Sequence, residues 1–274
     1  MRDIHPTAIV SPGAVIGDGT TVGAYSVIGD DCTIGENCVI DSHVKIADHT
    51  EIGESSRIYF GAVIGDDPQD HRFRPGVIAR TKIGRGVTLR EYVTVHRSPV
   101  PDGLTEVGDG TLLMAFVHVG HDAMIGRHVT AANTSVFAGH VTVADGAVIS
   151  AYVLVHQFCR IGQLAMIGGR TLVRQDVPDF CMLSEDNCVC GINVVGLRRA
   201  GFDDARRFRI KKMVKTYFFR RLNSAAALEK IAADYPGDRD AEDFIRFVRN
   251  SKRGIMPGNP ELCRLAAGIK ENAS

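Results

Sequence analysis

A parallel β-coil built from six-residue units, followed by an α-helical part, is the fold class predicted by this 274-residue sequence. Three observations carry the expectation. A large aliphatic residue stands at every sixth position. A smaller residue follows four positions after each. Both registers end before residue 203, where apolar residues take up three-and-four spacing. Six is neither a helical period nor a plain alternation, but it suits a short strand plus a corner. Three units then close one triangular coil, and coils stack at about 4.8 Å, so about nine of them form a prism about 40 Å long.

The aliphatic register runs without a slip through Ile4, Val10, Ile16, Val22, Ile28, Ile34, Ile40, Ile46, Ile52, Ile58 and Ile64. It resumes at Ile83, Leu89 and Val95, and again from Val107 through Val119, Phe137, Val155 and Ile167 to Val173. The interruptions, about 66–82 and 97–106, are expected loops. Ala8, Ala14, Thr20, Ser26, Cys32, Cys38 and Val44 begin the small register, and both registers are expected to face inward. Glycines after the aliphatic residue, such as Gly17, Gly53 and Gly126, are expected to permit the turn. Cys32, Cys38 and Cys159 read as small core filler, and Cys181, Cys188, Cys190 and Cys263 as structural thiols.

Beyond Val173 the repeat stops. Asp203 or Asp204 is placed to cap a helix carrying Ile210, Met213, Val214, Tyr217 and Phe218. Asn223 or Ser224 can cap a second helix, and Asp240 a third that carries Phe244, Ile245 and Val248 and ends near Gly254. The expected division is therefore a coil over 1–196 and a helical domain over 197–274.

Lys+Arg and Asp+Glu both number 32, so net charge offers no argument for nucleic acid or an anionic membrane. Residues 197–274 nevertheless hold 18 basic and 10 acidic residues, a local surplus that suits an acidic partner. No recognised nucleic-acid motif or aromatic stacking platform is present. The start, MRDIHPTAIV, lacks an apolar stretch of signal-peptide length, and no run is long enough to span a membrane. A cytoplasmic protein is expected.

Val119, Phe137 and Val155 lie eighteen residues apart, on one side of successive coils. From them His121, His140 and His156 are offset by two, three and one residues, none of them an inward register. These histidines are expected to form a file on one face, with His118 near the corner leading into it and Asp122 beside His121. A neutral imidazole can take a proton from a hydroxyl, and a carboxylate can fix its tautomer. No Ser or Cys has a nucleophile's context, which favours direct transfer over a covalent acyl-enzyme. Three histidines from adjacent coils could instead hold Zn²⁺ with an open position for water, as in hexapeptide-repeat carbonic anhydrases, a shorter family. A scaffold that binds without catalysis is the third possibility.

HVGHD at 118–122, AGHV at 138–141, VHQFCRIG at 155–162, GG at 168–169, QDVP at 175–178 and GINVVGLRRAGF at 191–202 occur in order. With them the chain resembles the UDP-N-acetylglucosamine O-acyltransferase family of hexapeptide-repeat enzymes, over nearly its full length. The resemblance implies a left-handed parallel β-helix with a C-terminal α-helical domain, assembled as a homotrimer without cofactor or metal. It implies transfer of an (R)-3-hydroxyacyl group from acyl carrier protein to the 3-hydroxyl of UDP-N-acetylglucosamine, the first step of lipid A synthesis. A 3-amino analogue is the alternative acceptor.

By the same resemblance His121 matches the catalytic base, Asp122 the residue that orients it, and Gly139 the backbone donor to the thioester oxyanion. His118, His140, His156 and Gln157 would line the sugar and acyl groove. Asp70 and Arg72 would hold substrate from the first loop, and Gly169 matches the position that limits the acyl tail. Asn193 and Arg199 match nucleotide-contacting positions, although Val195 and Ala200 depart from the family pattern beside them. Acyl carrier protein would meet Arg206, Arg207, Arg209, Lys211, Lys212, Lys215, Arg220 and Arg221.

Overall fold

A computed structural model describes residues 2–71 and 73–259. Two-residue strands dominate it and assemble into three sheets of eleven, nine and eight strands. The first sheet begins at Asp3–Ile4, the second at Ile9–Val10 and the third at Val15–Ile16, each pairing in parallel with the strand one coil onward. A strand's carbonyls and amides thus find partners in the coils above and below, which is why so short a strand persists. Both registers point inward: Ile28, Ile64, Leu89 and Phe137 are fully buried, as are Cys32, Cys38 and Cys159. Several hydroxyls in the small register are satisfied inside, whereas the buried Thr50 Oγ1 finds no partner among the described residues. Thr20 Oγ1 donates to Gly35 O at 2.7 Å and accepts from Cys38 N–H at 3.0 Å, and Cys32 Sγ donates to Ala47 O in the same way.

The glycines act differently from the expectation. A Cβ on Gly17 would lie 2.6 Å from the backbone of Gly35 and Glu36 in the next coil, so close approach excludes a side chain there. Left-handed backbone falls instead on the second corner residue, mostly a non-glycine such as Tyr25, Asp31, Asn37 or His43. Each such residue costs about 1–2 kcal/mol locally, and the stacking of successive corners offsets it.

The interruptions are shorter than expected. Strands Arg80–Ile83 and Leu104–Val107 begin inside the anticipated loops, leaving inserted loops of 67–79 and 97–103. Both leave the edge where the second sheet passes into the third, and Arg97 ties them, bonding Asp67 at 2.6 Å and lying over the Phe73 ring.

After the last coil an antiparallel hairpin, Cys181–Leu183 with Val189–Ile192, covers the end of the first sheet. Four helices follow: α1 (Val194–Arg199), α2 (Asp204–Phe219), α3 (Ser224–Asp234) and α4 (Arg239–Arg249). The anticipated boundary at 196/197 falls within α1. Asp203 and Asn223 cap α2 and α3, accepting from Arg206 N and Ala226 N. Asp238, not Asp240, caps α4, which ends at Arg249 rather than near Gly254. Asp240 lies in the first turn and accepts two bonds from Arg206, at 2.7 and 2.8 Å, clamping α2 to α4. Arg160 pins α4 to the third sheet, donating to Phe247 O and Asn250 O, both at 3.1 Å. Among the described residues no helix is long and apolar enough to cross a membrane. Cys263 lies outside the described residues.

Candidate active site

Val119, Phe137 and Val155 pair in successive strands of the second sheet, so the corners after them stack on one edge. These corners are His121–Asp122, Gly139–His140 and Gln157–Phe158. In each the second residue has left-handed backbone, φ 58° at Asp122, 59° at His140 and 67° at Phe158. Thr105 Oγ1 accepts from the Asp122 N–H at 2.8 Å and anchors the first corner. Asp122 Oδ2 lies 2.8 Å from His121 Nδ1 and 3.6 Å from His140 Nε2. An ionised carboxylate only accepts, so His121 carries its proton on Nδ1 and leaves Nε2 with a free lone pair. Asp70, from the first loop, brings Oδ2 to 3.9 Å from that Nε2. His121 points away from the prism core yet is only 9% exposed.

Gly139 sits directly over His121. A Cβ on it would lie 2.5 Å from both Cε1 and Nε2 of the imidazole, so only glycine leaves the ring its place. Its N–H donates to no group among the described residues, an arrangement open to an incoming oxyanion.

The file of histidines differs from the expectation. His121 and His140 meet edge to face, with ring centroids 5.1 Å apart, but the next ring is Phe158, stacked on His140 at 4.7 Å. His156 is offset by one residue rather than three, so it precedes its corner; its Nδ1 lies near Gln157 O and Arg253. Gln157 follows on the corner above Gly139. His118 lies on the outer face of the second sheet, its Nδ1 2.7 Å from Thr94 Oγ1, and packs edge to face on His96. Burial pushes the His118 pKa down to about 4, so this ring is neutral near pH 7 and serves hydrogen bonding, not charge. The three-imidazole zinc set is not assembled: the donor atoms that cluster within 4.8 Å are those of His121, Asp122 and His140.

The remaining candidates lie apart. Gly169 is on the edge between the first and second sheets. Asn193 and Arg199 share a cavity of about 710 Å³ with His128, Asp145 and Met166, on the edge between the third sheet and the first. Asn193 is committed within the fold: it caps α1 by accepting from Gly196 N and donates to Leu164 O, both at 2.9 Å. Arg72 lies outside the described residues.

The family described as Udp N-acetylglucosamine O-acyltransferase, domain 2, matches residues 176–256, and the bacterial transferase hexapeptide family matches 31–66. An acyl-[acyl-carrier-protein]--UDP-N-acetylglucosamine O-acyltransferase of Anaeromyxobacter is 39% identical over 204 residues, covering 74% of this chain and 79% of that one. The chain belongs to the UDP-N-acetylglucosamine O-acyltransferase family. Among solved UDP-N-acetylglucosamine acyltransferases, that of Francisella novicida superposes with a TM-score of 0.90 at 38% identity, over 94% of this chain and 95% of its own. That of Bacteroides fragilis gives 0.89 at 36%, over 92% and 99%. The prism is accordingly a left-handed parallel β-helix.

In this UDP-N-acetylglucosamine O-acyltransferase family member three further residues meet the candidate side chains: His96 packs on His118, Phe158 on His140, and Arg253 stands at His156. His96 is 7% exposed, and its Nδ1 has no partner among the described residues. It follows Val95 as His156 follows Val155, a signal hidden by the second loop. Phe158 stands eighteen residues after His140 and could have been found by that count. Nothing in the periodicity marks Arg253.

Proposed function

We propose that the chain transfers an (R)-3-hydroxyacyl group from acyl carrier protein to the 3-hydroxyl of UDP-N-acetylglucosamine in one direct step, with His121 as general base. The observation that carries this reading is the 2.8 Å contact of Asp122 with His121 Nδ1, which leaves Nε2 as the acceptor. Nε2 takes the hydroxyl proton as the sugar oxygen attacks the thioester carbonyl. The oxyanion would meet the Gly139 N–H. Collapse expels the carrier thiolate, which recovers the proton from His121, giving an ester and a free thiol. The names carried by the relatives support both substrates.

Outward-facing Val136, Leu154 and Leu172 line the second sheet between the His121 edge and the edge of Gly169. They offer an apolar track for the acyl chain, consistent with Gly169 limiting its length. Arg199 faces a different edge, so a nucleotide pocket next to His121 needs a second copy, which supports a homotrimer with sites between neighbours. On α2, Arg206, Arg207 and Arg209 are paired with Asp240, Asp204 and Asp238. Lys211, Lys215, Arg220 and Arg221 form no ion pair among the described residues and are the better candidates to receive acyl carrier protein, in the cytoplasm.

The test is acyl transfer from acyl carrier protein with purified protein, offering UDP-N-acetylglucosamine and its 3-amino analogue in parallel. His121→Ala should lose about 10² to 10⁴ in rate while keeping its circular dichroism. Undiminished transfer in that variant rejects the assignment, and preference for the amine would move it to the alternative acceptor.

A further inference from the structure

We propose that Arg253 is a positioning residue that selects which nitrogen of His156 bears the proton. Its consequence for turnover rests on the acyl-transfer reading above; the selection itself does not. After α4 the chain returns to the top of the prism and is stitched there by backbone. Asp176 N–H donates to Gly254 O at 2.8 Å, Met256 N–H to Asp176 O at 2.9 Å and Val189 N–H to Pro257 O at 2.7 Å. Arg253 is thereby delivered to the edge that carries His121 and His140. Its guanidinium donates to Arg174 O at 3.3 Å and stands 3.1 Å from His156 Nδ1.

The same Nδ1 lies 3.3 Å from the carbonyl oxygen of Gln157. These two neighbours make opposite demands. A guanidinium has only donors and needs a lone pair on Nδ1, whereas a carbonyl only accepts and needs an N–H there. A neutral imidazole satisfies one or the other. With Arg253 in place Nδ1 accepts and Nε2–H is a donor, suited to a carbonyl or phosphate oxygen of substrate at the corner above Gly139. Without Arg253 the proton moves to Nδ1, toward Gln157 O, and Nε2 becomes an acceptor that such an oxygen would repel.

The experiment is ¹⁵N NMR of the full-length protein labelled at histidine, at mildly alkaline pH, with His156→Gln to assign the resonances. Wild type and Arg253→Lys should carry the proton on Nε2, and Arg253→Met on Nδ1; Arg253→Ala is a second donor-free variant should Met prevent folding. A wild-type proton on Nδ1, or the same nitrogen protonated in wild type and the donor-free variant, overturns the proposal. In parallel, kcat/KM should fall about tenfold in Arg253→Met and recover in Arg253→Lys; an equal loss in both also counts against selection by the donated bond. A wild type inactive in acyl transfer speaks against the assigned reaction, and the NMR result then still decides the role of Arg253.

Discussion

The carboxylate of Asp122 accepts from Nδ1 of His121 at 2.8 Å, and this contact makes Nε2 the acceptor. Asp122→Asn tests it cleanly, because Asn tolerates the left-handed backbone that Asp122 adopts. Its amide can donate to Nδ1 and trap the tautomer whose Nε2 already holds a proton. The expected result is a fall in kcat of about 10² to 10⁴ with little change in KM. An unchanged kcat would remove Asp122 from the mechanism.

Gly139→Ala tests the space beside the base. Its φ is ordinary, so the fold should survive, but the new Cβ would lie 2.5 Å from His121 Nε2. The ring must move, and misplacement of about 1 Å costs about 100-fold. The checks are a thermal midpoint close to wild type together with lost turnover. Retained turnover would show that the imidazole has another place to stand.

Gly169→Met tests the acyl track. A Cβ there would lie 3.3 Å from the backbone oxygen of Ala151, a tight contact that a small backbone shift must relieve, and 3.9 Å from Ser150 Cβ, with nothing else within 4 Å. Competition between long and short acyl donors should shift toward the shorter ones. An unchanged chain-length profile places the end of the acyl tail elsewhere.

Asp179 tests the electrostatics under α4. Burial, with a lesser contribution from Asp243, pushes its pKa from 3.8 up to about 6. A carboxyl raised on folding contributes stability that is fully present below its unfolded value and is lost as pH rises through the folded one. Asp179→Asn keeps the acceptor for Gln163 N–H, seen at 2.7 Å. It should gain at most about 3 kcal/mol over wild type near pH 8, and the gain should shrink toward zero near pH 4. Denaturant titrations at both pH values check this; an equal difference at both would exclude ionisation of Asp179 as the cause.

The sequence by itself determined the coil, because a period of six admits few geometries and burial of Ile, Val and Leu demands a common inside. It also determined the stacking of His121 beneath Gly139 and His140, since eighteen residues make one turn. The helix starts were legible to within one residue, Asp203 or Asp204 and Asn223 or Ser224, because side-chain capping is local, and the structure places the caps at Asp203 and Asn223. What only the tertiary structure decided depends on contacts between distant segments. Asp240 left its cap for Arg206, and Asn193 turned inward to hold α1. The loop that brings Asp70 to His121, and the returning tail that sets Arg253 on His156, follow no period, so their placement rests on pairings that a one-dimensional pattern does not encode.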